Sequence, residues 1–230
     1  MNKPIERQGC FAELVLTPDK NIYELPSNLD IKQAPIAEPT AVALHAVELG
    51  EEVLKKPIDQ SRVLVIGGGA IGLLCALILE KYKKCKEIVL VDPNEKRLKV
   101  CRDHLNSETL KPDNLSIKDS SFDVVFDTVG LEITRQKSIK SVNPGGAIIH
   151  IGLTQPSGTF NFRKATLQEI TFVGTYCYTN NDFENTLKLL SNHTLGKLEW
   201  IEYRELSKGA DAFKQIHNGT CSAPKIILIP

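Results

Sequence analysis

The residues of this chain whose types and spacing can do chemistry lie in VLVIGGGAIG, Val63 to Gly72, and in the acid that follows twenty residues later, Asp92 at the close of the apolar run EIVLVD. A hydrophobic strand that stops at glycines and reopens as a helix presents bare backbone N–H groups to an anion, with the positive end of the helix dipole behind them. Gly67 permits the tight turn, Gly69 lets the backbone approach a pyrophosphate with no Cβ in the way, and Gly72 lets the new helix pack close to the sheet. Asp92, at this distance, is placed to accept hydrogen bonds from ribose hydroxyls and to repel a 2′-phosphate. The pattern predicts a bound dinucleotide, NAD in preference to NADP. Arg97, one helical turn on, blunts that preference slightly. Asp92 can also cap the helix expected from Pro93 to Asn106.

Five apolar runs position these residues: Val63 to Ile66, Ile88 to Val91, Val124 to Phe126, Ala147 to Ile151 and Ile170 to Val173. Each is bounded by turn residues, and helical stretches separate them, which is the signature of a parallel sheet with crossover helices. Between Arg102 and Phe122 the sequence turns polar and leaves room for at most a short strand at Asn114 to Lys118. The flanks do not belong to the repeat. Residues 1–30 read as one strand, Ala12 to Leu16, with extended chain, and the residues after Asn180 as two helices and a last strand, Lys225 to Ile229. No internal repeat is visible. The fold class is α/β, a doubly wound parallel sheet.

Composition narrows the partners. The 230 residues, 42% of them hydrophobic, suffice for a full core, and 28 basic residues balance 28 acidic ones, so no net field favours nucleic acid or an anionic membrane. No apolar run has the length of a membrane span, and MNKPIERQGC lacks the apolar core of a signal peptide. The expected location is cytoplasmic. Six cysteines (Cys10, Cys75, Cys85, Cys101, Cys177, Cys221) stand singly. They read as small buried hydrophobes or idle surface thiols rather than as a disulfide framework or a four-cysteine zinc lobe. His45, His104 and His150 read as packed structural histidines.

Taken in order, GCFAELVLTPDKNIYELP, AEPTAVALHAV, VLVIGGGAIG with Asp92, FDVVFDTVG, NPGGAIIHIGL and ITFVGTYCY resemble the zinc-type medium-chain alcohol dehydrogenase family, nearest to its polyol and threonine dehydrogenase branch. The resemblance implies a GroES-like catalytic domain interrupted by a coenzyme domain, with residues 1–30 a remnant of the former, 31–180 the coenzyme domain (core 61–178), and 181–230 the return to the catalytic part. It also implies coenzyme contacts. Ala70 and Ile71 would offer N–H groups to the pyrophosphate, and Arg97 would reach the adenosine ribose. Val129 and Gly130 would sit under the ribose and adenine, although Gly130 reads equally as a strand-ending turn. Ile151, Gly152 and Leu153 would hold the nicotinamide carboxamide, and Val42 would pack on the nicotinamide ring. The final strand, within Glu169 to Tyr176, would pair with its twofold copy through residues 170–175 to make a homodimer.

The family's catalytic zinc ligands, a cysteine and a His-Glu pair upstream of the GCFAEL-like segment, do not occur in the eight residues ahead of Gly9. Glu38 stands where polyol and threonine dehydrogenases place a glutamate beside the metal, and one carboxylate does not make a zinc site. The resemblance thus implies zinc for the family and none held by this chain, and it identifies no catalytic residue. Three readings follow. The first is an NAD-dependent zinc dehydrogenase for an alcohol or polyol, seen without its N-terminal portion. The second is a coenzyme-binding module without catalysis of its own. The third is a zinc-free reductase of the quinone oxidoreductase type, against which Glu38-Pro39 argues.

Overall fold

A computed structural model describes residues 9–114 and 120–230. The short strand expected at Asn114 to Lys118 falls mostly outside them. Its place in the sheet is taken by residues just upstream, Glu108–Leu110.

Six strands, β1 (Arg62–Ile66), β2 (Glu87–Val91), β3 (Glu108–Leu110), β4 (Phe122–Asp127), β5 (Val142–His150) and β6 (Thr171–Gly174), form one parallel sheet in the order β3-β2-β1-β4-β5-β6. The order reverses direction between β1 and β4, and in open α/β sheets ligands bind at the carboxyl ends on either side of that switch. The strands read as continuous apolar runs because both faces are covered. Val63 and Val65 of β1, with Phe126 and Ile149, turn to the face that carries α1 (Ala37–Val53) and α2 (Ala70–Leu77); Leu64, Ile66, Val125 and Ile148 turn to the face of α4 (Glu132–Ser141). The first of these cores runs without a break from Leu29 to Ile227 and takes in Leu187, Leu190 and Trp200. Residues of both flanks are therefore packed with the sheet.

The remaining helices are α3 (Glu95–His104), α5 (Phe162–Leu167), α6 (Asn180–Ser191) and α7 (Gly209–His217). The α2 helix ends in a wider π turn, Ile78–Tyr82. Two differences from the expected elements stand out. Ala12 to Leu16 forms no strand: Leu14 and Leu16 are 91% and 97% exposed, and no ladder partner lies beside them among the described residues. A strand that was not expected, β7 (Ile201–Glu205), pairs in parallel with β8 (Lys225–Ile229), Tyr203 opposite Ile227. His45 is a structural histidine, its Nδ1 3.0 Å from Asp182 Oδ2, tying α1 to α6. Four of the cysteines are buried, with Cys10 and Cys177 exposed. No described helix is long and apolar enough to cross a membrane.

Candidate coenzyme site

The turn between β1 and α2 is built by contacts that only glycine permits. Gly67 sits at φ +107°, where a Cβ would lie 2.6 Å from Thr128 Oγ1, and a Cβ on Gly72 would fall 1.8 Å from the Gly67 carbonyl oxygen. The helix start is thereby pressed onto the strand end. At Gly69 a Cβ would meet nothing within 4 Å, so the space there is open. No side chain caps α2, and Leu73 N–H donates to the Gly69 carbonyl at 2.9 Å. The N–H groups of Ala70 and Ile71 ahead of it belong to the part of a helix that has no intrahelical acceptor. Such donors beside open space are what an anion would bind.

Asp92 closes the site from β2. It is 4% exposed. Its Oδ2 accepts from Gly68 N–H at 2.7 Å and its Oδ1 from Asn94 N–H at 2.7 Å. Each carboxylate oxygen has a second lone pair, so both turn-facing bonds can coexist with a ribose diol. The helix cap is not Asp92 but Asn94, whose Oδ1 accepts from Lys96 N–H at 2.9 Å and Arg97 N–H at 3.4 Å. Arg97 places a guanidinium nitrogen 3.9 Å from Asp92 Oδ2. Beneath the turn, burial and the Asp92 charge push the Cys101 thiol up to about 12, so it stays an uncharged packing group.

A cavity of about 410 Å³ opens at the carboxyl ends of β1, β2 and β4, lined by Ile66, Gly67, Val91, Pro93 and Val129 among others, including Lys137. Its apolar walls beside Asp92 suit the flat face of an adenine.

On the other side of the switch, β4 ends at Asp127, which is fully buried. Its Oδ1 accepts from Val129 N–H at 3.1 Å and Gly130 N–H at 3.0 Å, and Thr134 Oγ1 lies 3.0 Å from Oδ2. Gly130, at φ +73°, packs backbone to backbone on Gly152, where a Cβ would come within 2.0 Å of the Gly152 oxygen. That contact accounts for the glycine by the turn alone. Ile151 and Gly152 both donate their N–H groups to the Asp127 carbonyl, at 2.9 and 3.0 Å. Of this stretch, Leu153 is left exposed, lining with Gly152 and His150 a second cavity of about 720 Å³. His150 Nε2 is buried without a hydrogen-bond partner, 3.8 Å from Asp127 Oδ2. Burial holds the His150 pKa below the usual histidine value against the opposing pull of Asp127.

Asp127, inside the quoted FDTVG, was not singled out in the sequence, although an acid closing an apolar strand is the same signal that marked Asp92. Val42 is half-buried on α1, packed against the main core, one turn past Glu38. Glu38 is exposed in the first turn of α1, near Tyr178, whose pKa is raised first by burial and then by the Glu38 charge. Among the described residues no three His, Cys, Asp or Glu side chains come together as a group that could hold a metal. The described residues therefore do not fit a zinc ion, which wants about four ligands.

A six-stranded parallel sheet with a glycine turn, an acid at the end of the second strand and an open cavity at the switch point defines a dinucleotide-binding domain. The family model for zinc-binding dehydrogenases matches residues 70–192, more than half of the chain. The chain belongs to that family. It is 25% identical over 224 residues to a probable D-xylulose reductase A of Neosartorya fischeri, covering 92% of this chain and 61% of that protein. It is 26% identical over 233 residues to a D-xylulose reductase of Saccharomyces cerevisiae, covering 96% and 64%. Among solved structures, an alcohol dehydrogenase from Thermus sp. ATN1 superposes with a TM-score of 0.83 at 21% identity, over 97% of this chain and 66% of that one. The chain spans about three-fifths of the length of the curated relatives it matches.

Proposed function

We propose that this chain is the coenzyme-binding part of an NAD-dependent dehydrogenase acting on a small alcohol or polyol. The observation that carries the reading is the buried Asp92 bonded to the glycine turn itself, which puts a fixed negative charge beside open anion-binding N–H groups. A diphosphate would lie against Ala70 and Ile71, the ribose diol at Asp92, the adenine in the cavity of Pro93 and Val129. The nicotinamide would reach toward Leu153 and Val42. A nicotinamide coenzyme, when bound, accepts a hydride from an alcohol carbon or returns it to a carbonyl. This chain's own residues bind and orient it. The polyol class rests on the xylulose reductase relatives.

The division into flanks at 1–30 and 181–230 around a coenzyme domain at 31–180 belongs to the same proposal, as does a cytoplasmic location. So does a homodimer through residues 170–175. In support of the last, β6 is the end strand of the sheet, with Thr171, Phe172 and Gly174 exposed, and an uncovered edge of that kind seeks a partner strand. The test of the coenzyme reading is calorimetric titration of the chain with NADH and with ADP-ribose; binding of neither overturns it.

A further inference from the structure

The loop from Gly152 to Phe160 has no regular structure, yet its polar groups are fastened to two neighbouring places, the first turns of α4 and the Val129-Gly130 corner. Glu132 N–H donates to Gln155 Oε1 at 2.7 Å, and Glu132 Oε1 accepts from the N–H of Thr159 at 3.2 Å and from its hydroxyl. Gln136 Nε2 donates to the same Thr159 hydroxyl oxygen at 2.6 Å. Arg135 reaches further. Its Nη1 donates to the Gly130 carbonyl at 3.0 Å and the Gln155 carbonyl at 3.2 Å, and its Nη2 donates to the Ser157 carbonyl. One guanidinium therefore joins the end of β4 to two points of the loop that follows β5. Its fork is planar and cationic, so these are charge-assisted bonds in a fixed geometry. The loop has been shaped to the fit: at Gly158, φ +154°, a Cβ would stand 2.7 Å from Arg135 Nη2 and 2.9 Å from Glu132 Cβ.

The loop does not hold itself. Leu153 is 78% exposed, and the backbone bonds that fix the stretch run outward, Thr154 N–H to the Val129 carbonyl at 3.4 Å, with the Thr154 hydroxyl donating to the same oxygen at 2.6 Å, and Gln155 N–H to the Gly130 carbonyl at 3.0 Å. All anchor it to the same Val129-Gly130 corner that Arg135 clasps. The adenosine side of the site, by contrast, rests on Gly67 to Gly72, Asp92 and Pro93 and meets this network only at the Val129-Gly130 corner, whose N–H groups Asp127 Oδ1 holds independently of the arginine.

We propose that Arg135 is a positioning residue for the nicotinamide half of the coenzyme, fixing the Gly152-Leu153 segment by clasping its loop to α4 while leaving the adenosine half untouched. This rests on the coenzyme reading above. Removing the clasp frees three carbonyls and a loop, so ordering the segment would cost part of the binding energy of the nicotinamide end.

The experiment is calorimetric titration of wild type, Arg135→Gln and Gly158→Ala with NADH and, separately, with ADP-ribose, which lacks the nicotinamide. Loss of charge-assisted bonds of this kind predicts NADH binding weakened about tenfold in Arg135→Gln. ADP-ribose binding should stay within about twofold, because the Val129-Gly130 corner it meets is still held by Asp127 Oδ1 and its other contacts lie away from the loop. Gly158→Ala, which keeps the arginine and displaces the loop, should show the same split. Hydrogen exchange should rise at 152–160 in both variants and stay unchanged at 61–72, which also reports that the domain is folded. Equal weakening toward both nucleotides, or no weakening toward NADH, overturns the proposal. A wild type that binds neither nucleotide overturns the coenzyme reading, and this one with it.

Discussion

Asp92 Oδ2 accepts a 2.7 Å hydrogen bond from the backbone N–H of Gly68, so the acid at the end of β2 and the middle glycine of the β1–α2 turn form one rigid piece. The charge that would choose between coenzymes is thereby fixed against the backbone that would hold their shared diphosphate. Selectivity and binding are coupled through a single bond.

Replacing Asp92 tests that coupling. Asp92→Asn keeps one oxygen as acceptor and removes the charge that would repel a 2′-phosphate, so the ratio of NADPH to NADH dissociation constants should fall by about tenfold. Asp92→Ala should narrow the same gap and also cost about 1–3 kcal/mol of stability, because Gly68 N–H is left buried without its acceptor. Coenzyme titration with thermal unfolding measures both; an unchanged ratio in Asp92→Asn contradicts the assignment.

Gly72→Ala reads the fit of the turn. Its Cβ would fall 1.8 Å from the Gly67 oxygen, an overlap that α2 can relieve only by moving off the sheet. A loss of about 3 kcal/mol is expected, a fall in melting temperature of about 10 °C. Gly69→Ala, built into open space, should melt like wild type and lose coenzyme affinity instead.

The edge strand can be probed by which way its N–H groups point. Thr175 N–H donates to the His150 carbonyl at 3.1 Å, so the odd-numbered positions of β6 face β5 and the even-numbered ones face outward. A proline at Val173 would break the sheet itself. Phe172→Pro removes an outward donor, and it should convert a dimer to a monomer in sedimentation equilibrium while the fold persists. A folded Phe172→Pro that is still dimeric, or a monomeric wild type at micromolar concentration, rules out this seam.

Glu48 supplies a pH dependence. Burial, then a hydrogen bond with Asp182, raises its pKa above the ordinary carboxylate value. A carboxyl that holds its proton more tightly when folded contributes stability below its unfolded pKa, about 4.3, and loses it as pH rises through the folded value. Glu48→Gln removes that loss. Thermal unfolding should show the variant gaining on wild type between about pH 4 and pH 7; a difference that is the same at both pH values contradicts the assignment.

What the sequence made legible was whatever is written in local pattern. Ile66 and Val91 end buried apolar runs, and glycines follow Ile66 where a strand turns sharply into a helix, so the sheet and the tight turn could be read directly. The β7 strand was missed although Ile201-Glu202-Tyr203 alternates, because a five-residue half-buried strand gives only a brief signal. Ala12 to Leu16 erred the other way: apolar β-formers make a strand only where a ladder partner exists, and local sequence does not carry that information. The Arg135 clasp was invisible for a related reason. Its acceptors are backbone carbonyls at Gly130, Gln155 and Ser157, and any residue could supply them.

The most direct test of the coenzyme assignment is titration of the purified chain with NADH and NADPH by calorimetry. The account predicts one NADH site per chain and NADPH binding at least about tenfold weaker, from the fixed charge of Asp92. No saturable NADH binding, or NADPH binding as tight as NADH, would contradict it.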